Sequence, residues 1–191
     1  MNSEEIARLL SELREGDRGA LDTLIPLLYG ELRRIAHRQR SDRPSGETLQ
    51  TTVLVHEAYV RLTGRSRLKF VDADHFLSAS ATIMRHILVD HARMRLAQKR
   101  GGGVEALPLT EVSDVLVEQA EGLIALDDAL RRLAALSPRL AEVVEMRFFA
   151  GFTVDEAARL LGRDARTIKR DWQKARLLLA GFLGAGPVAG P

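Results

Sequence analysis

Long side chains that can donate hydrogen bonds recur at helical spacing near the C-terminus of this 191-residue chain. The spacing of three and four residues places them on one face of a helix that Asp164 can cap. From Arg159 to Arg176 the chain has seven basic and two acidic residues, a local charge of +5. Such donors are suited to the phosphates of DNA and to guanine edges in its major groove. The residues of this polar face are Arg166, Lys169, Arg170, Gln173 and Lys174.

The residues before this helix have the pattern of a shorter helix. Thr153 and Glu156 form a capping box that begins it, and Gly162 ends it. The apolar residues of the following helix share a face that can pack against it: Ile168, Trp172, Ala175 and Leu179. Two such helices joined by a tight turn predict a helix-turn-helix. A helix hairpin with a solvated charged face is the alternative, but the small Ala157 and Ala158 favour close helix crossing.

Basic residues also concentrate in the first half of the chain, in two groups. The first group ends one helix and continues into a short loop: Arg61, Arg65, Arg67 and Lys69. The second group lies on one helix with only Asp90 as an acid: Arg85, Arg93, Arg95, Lys99 and Arg100. His75, His86 and His91 add further donors. Together these residues could follow a nucleic-acid backbone.

Three aromatic residues lie near the same loop: Tyr59, Phe70 and Phe76. Aromatic rings on a basic surface can stack on unpaired bases. The alternative is that they form part of the core, and it is favoured because only 9 of the 191 residues are aromatic.

The residues that catalysis or metal binding would need are missing or wrongly spaced. The chain has no cysteine, which excludes disulfides, thiol nucleophiles and cysteine-based metal sites. His86 and His91 are five residues apart, on different faces of a helix, and His56-Glu57 lacks the second histidine of a zinc-binding helix. We therefore predict no enzymatic activity, no metal, no other cofactor and no small-molecule substrate.

Apolar residues recur at helical spacing along the chain, without the alternation typical of strands. This pattern predicts an all-α fold of six or more helices. The first helix should end at Gly16, the second should run from Asp17 to about Arg40, the third should hold residues 49–62, and the fourth should cover about 73–99. No apolar stretch has the length of a signal peptide or a membrane span, so we expect a cytoplasmic protein.

Acidic residues separate the two basic regions. Between Gly101 and Asp128 the chain has seven acids and no Lys or Arg, and its total formal charge is only +2. We predict two small helical domains, 1–100 and 121–183, joined by a flexible acidic linker at 101–120 and followed by a disordered tail at 184–191. Ser137 and Pro138 should begin a helix in the second domain that ends at Gly151.

Three blocks of sequence, in this order, resemble the bacterial sigma-70 family of RNA polymerase sigma factors, extracytoplasmic-function (ECF) type. His56-Glu-Ala-Tyr-Val-Arg-Leu62 is similar to the family's polymerase-binding helix in region 2. Met84-Arg-His-Ile-Leu-Val-Asp-His-Ala-Arg93 resembles its promoter-melting helix. The block that begins Leu136-Ser-Pro-Arg-Leu-Ala-Glu-Val-Val-Glu and the helix-turn-helix after it resemble region 4. The resemblance covers about residues 3–183.

The resemblance implies a non-enzymatic initiation factor whose partners are core RNA polymerase and promoter DNA. Region 4 would read the minus-thirty-five element through Arg166, Thr167, Lys169, Arg170, Gln173 and Lys174. Region 2 would recognise and open the minus-ten element through Arg65, Arg67, Lys69, Arg85, His86, Asp90 and Arg93. The polymerase would be bound by Leu54, His56, Glu57, Tyr59 and Arg61.

The sequence departs from the family pattern at Val53, where an acid is frequent, and at His56, where glutamine is usual. Many relatives are regulated by an anti-sigma protein and some branches lack one, and no residue here selects between these possibilities. Two other classes of protein remain as alternatives. A conventional repressor or activator would bind DNA without polymerase, and a helical adaptor would bind only protein.

Overall fold

A computed structural model describes residues 3–40, 50–64, 70–100 and 111–184 of the chain. Within these ranges the fold is all-α, as predicted, with eight α-helices, one π-helical segment and no strand. The helices are α1 (Ser3–Glu15), α2 (Gly19–Arg40), α3 (Thr51–Thr63), α4 (Ala73–Arg100), α5 (Glu111–Leu136), α6 (Pro138–Val144), α7 (Val154–Leu160) and α8 (Ala165–Phe182), with the π-helical segment at Glu145–Ala150. No helix of the described part combines the length and the apolarity that a membrane span needs.

The chain divides into two compact units, and the first comprises Met1–Ile87 together with Phe148–Gly151. In this unit α2 packs against both α1 and α3. Leucines at helical spacing along α2 are completely buried and form the centre of the core, which α3 and α4 complete. The core side chains with less than 2% exposure include Leu21, Leu24, Leu28, Leu32, Leu54, Leu62, Phe76 and Met84.

The connection between α1 and α2 follows the predicted pattern. Gly16 has a φ of +105°, a backbone conformation that side chains disfavour, so glycine is suited to this turn. The Asp17 carboxylate accepts a hydrogen bond of 2.8 Å from the backbone N–H of Gly19, the first residue of α2. Asp17 therefore stabilises the start of this helix through its side chain.

The second unit comprises Leu88–Arg147 and Phe152–Pro191. Here α5 packs against α6 and α8, and α8 also packs against α6 and α7. The core between these short helices is formed by Val143, Ala157, Ala158 and Ile168. The small alanines allow the close helix crossing that their sequence positions predicted.

The second half of α4 belongs to this second unit. Arg93 on α4 forms an ion pair of 3.1 Å with Asp127 on α5, whose side chain is 1% exposed. Along the chain, the boundary between the two compact units lies inside α4, between Ile87 and Leu88. An ion pair between residues so far apart in sequence leaves no local signal. That residues 1–100 and 121–183 are separate domains stays a prediction.

The acidic segment is also more ordered than its composition suggested. Helix α5 begins at Glu111, so residues 111–120 are helical in the structure, ten residues before the predicted second domain begins. Apolar residues continue through this stretch, and Ala120 is buried, which explains the earlier start. Residues 41–49, 101–110, the predicted loop at 65–69 and the tail after Gly184 lie outside the described residues.

The helix predicted between Ser137 and Gly151 changes its winding before it ends. Ser137 is its N-cap and Pro138 its first residue, as expected. The Ser137 hydroxyl, however, makes no capping hydrogen bond with the helix. The last turns are π-helical from Glu145 to Ala150. Gly151 then has a φ of +80° and lies so close to Arg38, in the same unit, that a Cβ atom would overlap the guanidinium. The positive φ favours glycine at this position, whereas the exposed Arg38 guanidinium is the end of a flexible side chain that can move aside.

Candidate nucleic-acid interface

The helix-turn-helix begins with the predicted capping box. The Thr153 hydroxyl accepts a 3.2 Å hydrogen bond from the backbone N–H of Glu156, and the Glu156 carboxylate accepts one of 2.6 Å from the backbone N–H of Thr153. These two bonds satisfy donors that the first turn of α7 leaves unpaired. The beginning of α7 is therefore determined by residues three positions apart.

The turn between α7 and α8 depends on Gly162, whose φ is +61°. The N–H of Gly162 donates to the carbonyl of Arg159, and the N–H of Arg163 donates to the carbonyl of Ala158 at 2.9 Å. These bonds satisfy the last carbonyls of α7 and turn the chain into α8. The predicted helix end at Gly162 is confirmed.

Helix α8 begins at a cap that Asp164 forms with Thr167. The Asp164 carboxylate accepts 2.8 Å and 2.6 Å hydrogen bonds from the backbone N–H and the hydroxyl of Thr167. The same bonds lower the pKa of Asp164, because they stabilise its charged form. The Thr167 hydroxyl, predicted to contact DNA, is thus used in the cap.

The two faces of α8 are divided as the sequence predicted. On the inner face Ile168 and Ala175 are fully buried, and Trp172 is half-buried against the core of the second unit. The outer face presents exposed donors along three turns: Arg166, Lys169, Arg170, Gln173 and Lys174. A helix with this division can dock on its own domain and leave a continuous row of cations for a polyanion.

One functional residue of α8 was missed at the sequence level. Asp171 lies between the exposed basic residues Arg170 and Lys174 in the sequence, yet it is only 2% exposed. Arg139 on α6 donates to both of its carboxylate oxygens, with a distance of 2.7 Å from Nε to Oδ2. The bound guanidinium lowers the pKa of Asp171, and the carboxylate raises that of Arg139. The signal was positional, since Asp171 lies in the same inward stripe as Ile168 and Ala175.

The structure places the predicted polymerase contacts of α3 on different sides of that helix. Leu54 is completely buried and belongs to the core of the first unit, and its contact with the polymerase stays a prediction. His56 and Arg61 are exposed and Glu57 is half-buried. Tyr59 is also half-buried, and its hydroxyl donates a 2.7 Å hydrogen bond to Asp22, which raises the Tyr59 pKa.

Two apolar side chains on the exposed face of α3 were not among the predicted contacts. Val53 is 42% exposed and Val60 is 52% exposed, and both lie on the same side of the helix as His56. Exposed apolar side chains at helical spacing are typical of a surface that binds another protein. Their spacing relative to His56 was the signal available in the sequence.

The predicted minus-ten residues that the structure describes are buried or only partly exposed. Arg65, Arg67 and Lys69 lie outside the described residues. Arg85 is 7% exposed, and its guanidinium lies 5.3 Å from the ring centroid of Phe149 within the same unit. Arg85 is therefore packed inside the first unit in this structure, and its contact with DNA stays a prediction.

The remaining minus-ten residues are only partly exposed. His86 is half-buried, with Nε2 at 3.1 Å from Nη2 of Arg85, and Asp90 is half-buried too. The Arg93 guanidinium forms an ion pair with the Asp127 carboxylate, and Arg131 forms a second ion pair of 2.8 Å with the same carboxylate. Arg93 is thus a structural partner of a buried carboxylate here, and not a free cation, because a buried charge requires pairing.

The aromatic residues near the first-domain loop belong to the core. Phe76 is completely buried and Phe70 is 6% exposed, and their rings meet edge to face with centroids 5.1 Å apart. This geometry is a favourable aromatic pair and leaves neither face available to a base. The core alternative is the correct one for these two rings.

Comparison with known proteins gives a consistent result over nearly the whole chain. The sequence model of the family described as "ECF sigma factor" matches residues 3–182. The chain is 27% identical over 180 residues to the "ECF RNA polymerase sigma factor BldN" of Streptomyces coelicolor, covering 93% of this chain and 66% of that protein. It is 28% identical over 181 residues to the "ECF RNA polymerase sigma factor SigM" of Mycobacterium tuberculosis, covering 93% and 84% of the two chains.

Proposed function

Because the chain belongs to the ECF sigma factor family, we propose that it binds core RNA polymerase and directs promoter recognition, promoter opening and transcription initiation. It acts by binding and supplies no catalytic group of its own. Its partners are core polymerase and promoter DNA, and it works in the cytoplasm, where both are found.

The observation that carries this proposal is the exposed row of donors on α8, held by a complete helix-turn-helix. Capping at Thr153 and Asp164 determines where both helices begin, and Gly162 determines the turn between them. Helices of this kind place their N-terminal half in the major groove. Arg166, Lys169 and Arg170 lie in the first turns of α8 and would meet base edges there.

We assign recognition of the minus-thirty-five element to the five exposed residues of α8. Thr167 has a supporting role, because its hydroxyl and N–H both hold Asp164. Arg and Lys can pair with guanine, and Gln with adenine, so this row of side chains suits reading of bases as well as phosphates.

Core polymerase would be bound through the exposed face of α3. Val53, His56 and Val60 form its centre, and Arg61 lies beside them. This face combines apolar contact area with polar neighbours, as protein interfaces do. An anti-sigma protein or another regulator is a further candidate partner, as the resemblance to the family implies, and no residue of this chain selects between them.

Reconstituted transcription tests the proposal. Core polymerase would be incubated with the chain and genomic fragments, and new transcription start sites would be mapped. We expect start sites that require the chain, together with comigration of the chain with core polymerase. Absence of both results would rule the proposal out. Binding to a symmetric DNA site without polymerase would instead indicate a conventional repressor or activator.

A further inference from the structure

The second half of α2 is rich in cations that the predicted interfaces do not use. Residues 31–40 contain four arginines and one histidine against one glutamate. Four of these cationic side chains are exposed: Arg33, Arg34, His37 and Arg38. Within the described residues, Arg34 pairs with Glu31 at 3.6 Å, with the Arg34 side chain still 75% exposed.

These side chains line a groove of ≈ 740 Å³ in the first unit, together with Gly30 and Thr51. Arg40 anchors the start of α3 beside the groove, because its guanidinium donates a 2.6 Å hydrogen bond to the Thr51 hydroxyl. No apolar side chain is among these lining residues. A protein partner would normally meet an apolar or aromatic centre, so the lining favours a polyanion.

The helix macrodipole explains only part of this cation cluster. Cations are favourable near the C-terminal end of a helix, and His37, Arg38 and Arg40 lie in the last turn of α2. The effect is limited to that turn. Arg33 and Arg34 lie before it. The exposed ion pair with Glu31 stabilises the helix only slightly through Arg34, and within the described residues Arg33 has no such pair.

We propose that this groove binds the phosphodiester backbone of promoter DNA, as a third contact besides those of α4 and α8. The proposal rests on the promoter-binding function given above. From Arg33 to Arg38 the helix axis advances about 7.5 Å, a length over which duplex DNA carries about four phosphates. Arginine is suited to this ligand because its planar guanidinium pairs with phosphate oxygens in two-point fashion.

The experiment measures how strongly salt weakens the complex of promoter DNA with the reconstituted holoenzyme. The test variant is Arg33→Gln/Arg34→Gln. The matched control is Arg8→Gln/Arg14→Gln, which removes the same charge from exposed positions on α1. Each phosphate contact contributes about 0.9 to the slope of log K against log salt, so the test variant should lower the slope by about 1 to 2. The control should leave it unchanged.

Two further measurements separate the possible failures. Arg33→Lys/Arg34→Lys keeps the charge and should retain most of the slope. An unchanged slope in Arg33→Gln/Arg34→Gln would overturn the proposal, and so would weaker binding of this variant to core polymerase without DNA, which would make the groove a protein interface. If the wild-type chain forms no promoter complex with polymerase, the function proposed above fails as well.

Discussion

At the scale of single residues, Asp171 connects the geometry of α8 to that of α6. Its carboxylate is buried beside Arg139, on the side of the helix opposite to the exposed donors. A buried carboxylate without a partner would be costly, so the pair constrains how α8 lies on α6. The orientation of the exposed row depends on this hidden contact as well as on the apolar core.

We expect Asp171→Asn to lower the free energy of unfolding by about 1 to 3 kcal/mol at pH 7, since it removes a charge-assisted two-point hydrogen bond. Because Arg139 lowers the Asp171 pKa in the folded protein, the pair stabilises the fold above the unfolded-state pKa of about 3.9. That stability is lost as the pH falls through the folded-state pKa. Urea unfolding of both proteins from pH 7 to pH 2.5 measures this, and a difference that does not decrease as the pH falls would contradict it.

The exposed donors of α8 have a different role, which substitution can separate from stability. We expect Arg170→Ala and Lys174→Ala to weaken use of the cognate promoter by about 1 to 3 kcal/mol each if the residue reads a base. Binding to core polymerase should not change, because neither side chain is buried. Run-off transcription on a cognate promoter measures the effect. Arg14→Ala on α1 is a suitable control, and equal transcription by all variants would refute the assignment.

At the scale of secondary structure, two helix starts differ in a way that can be measured. Thr153 caps α7 with a side-chain hydrogen bond, whereas Ser137 occupies the same position before α6 without making one. We expect Thr153→Ala to cost about 1 kcal/mol of unfolding free energy. Ser137→Ala should cost little, because no bond is lost. Chemical denaturation of both variants tests this, and equal losses would show that the Thr153 bonds do not contribute.

The elements also show which local patterns were sufficient for prediction. The starts of α7 and α8 were predicted correctly because their capping bonds join residues three positions apart. The start of α5 was not predicted correctly. Its acidic composition is typical of a linker, and the apolar residues among the acids form a helix only because they pack against a core. No pattern in the sequence predicted the change to π-helical winding at Glu145.

At the scale of the whole molecule, the two proposed binding surfaces differ in chemistry. The α3 face is partly apolar, and the α8 face is cationic. Two modest contacts made on one polymerase reinforce each other through effective concentration. Substitutions on the α3 face should therefore weaken binding to core polymerase, and substitutions on the α8 face should weaken promoter recognition.

We expect Val60→Asp to weaken binding to core polymerase by at least tenfold, because it places a charge in the centre of the proposed interface. Val60 is 52% exposed, so the fold should tolerate the change. The control is Leu136→Asp, at a 63% exposed apolar position on α5. Competition for core polymerase against the wild-type chain measures the effect, and equal affinities for both variants would argue against the α3 surface.

The sequence by itself was enough for the all-α class, the helix-turn-helix and the division of α8 into a buried and a charged face, since each depends on periodicity or on contacts between near neighbours. Only the tertiary structure decided which charged residues are available. Arg85 lies against Phe149, Arg93 pairs with Asp127, and Asp171 pairs with Arg139. These partners are 64, 34 and 32 positions apart along the chain. Sequence patterns identify a charge, but burial and pairing depend on segments that meet only when the chain folds.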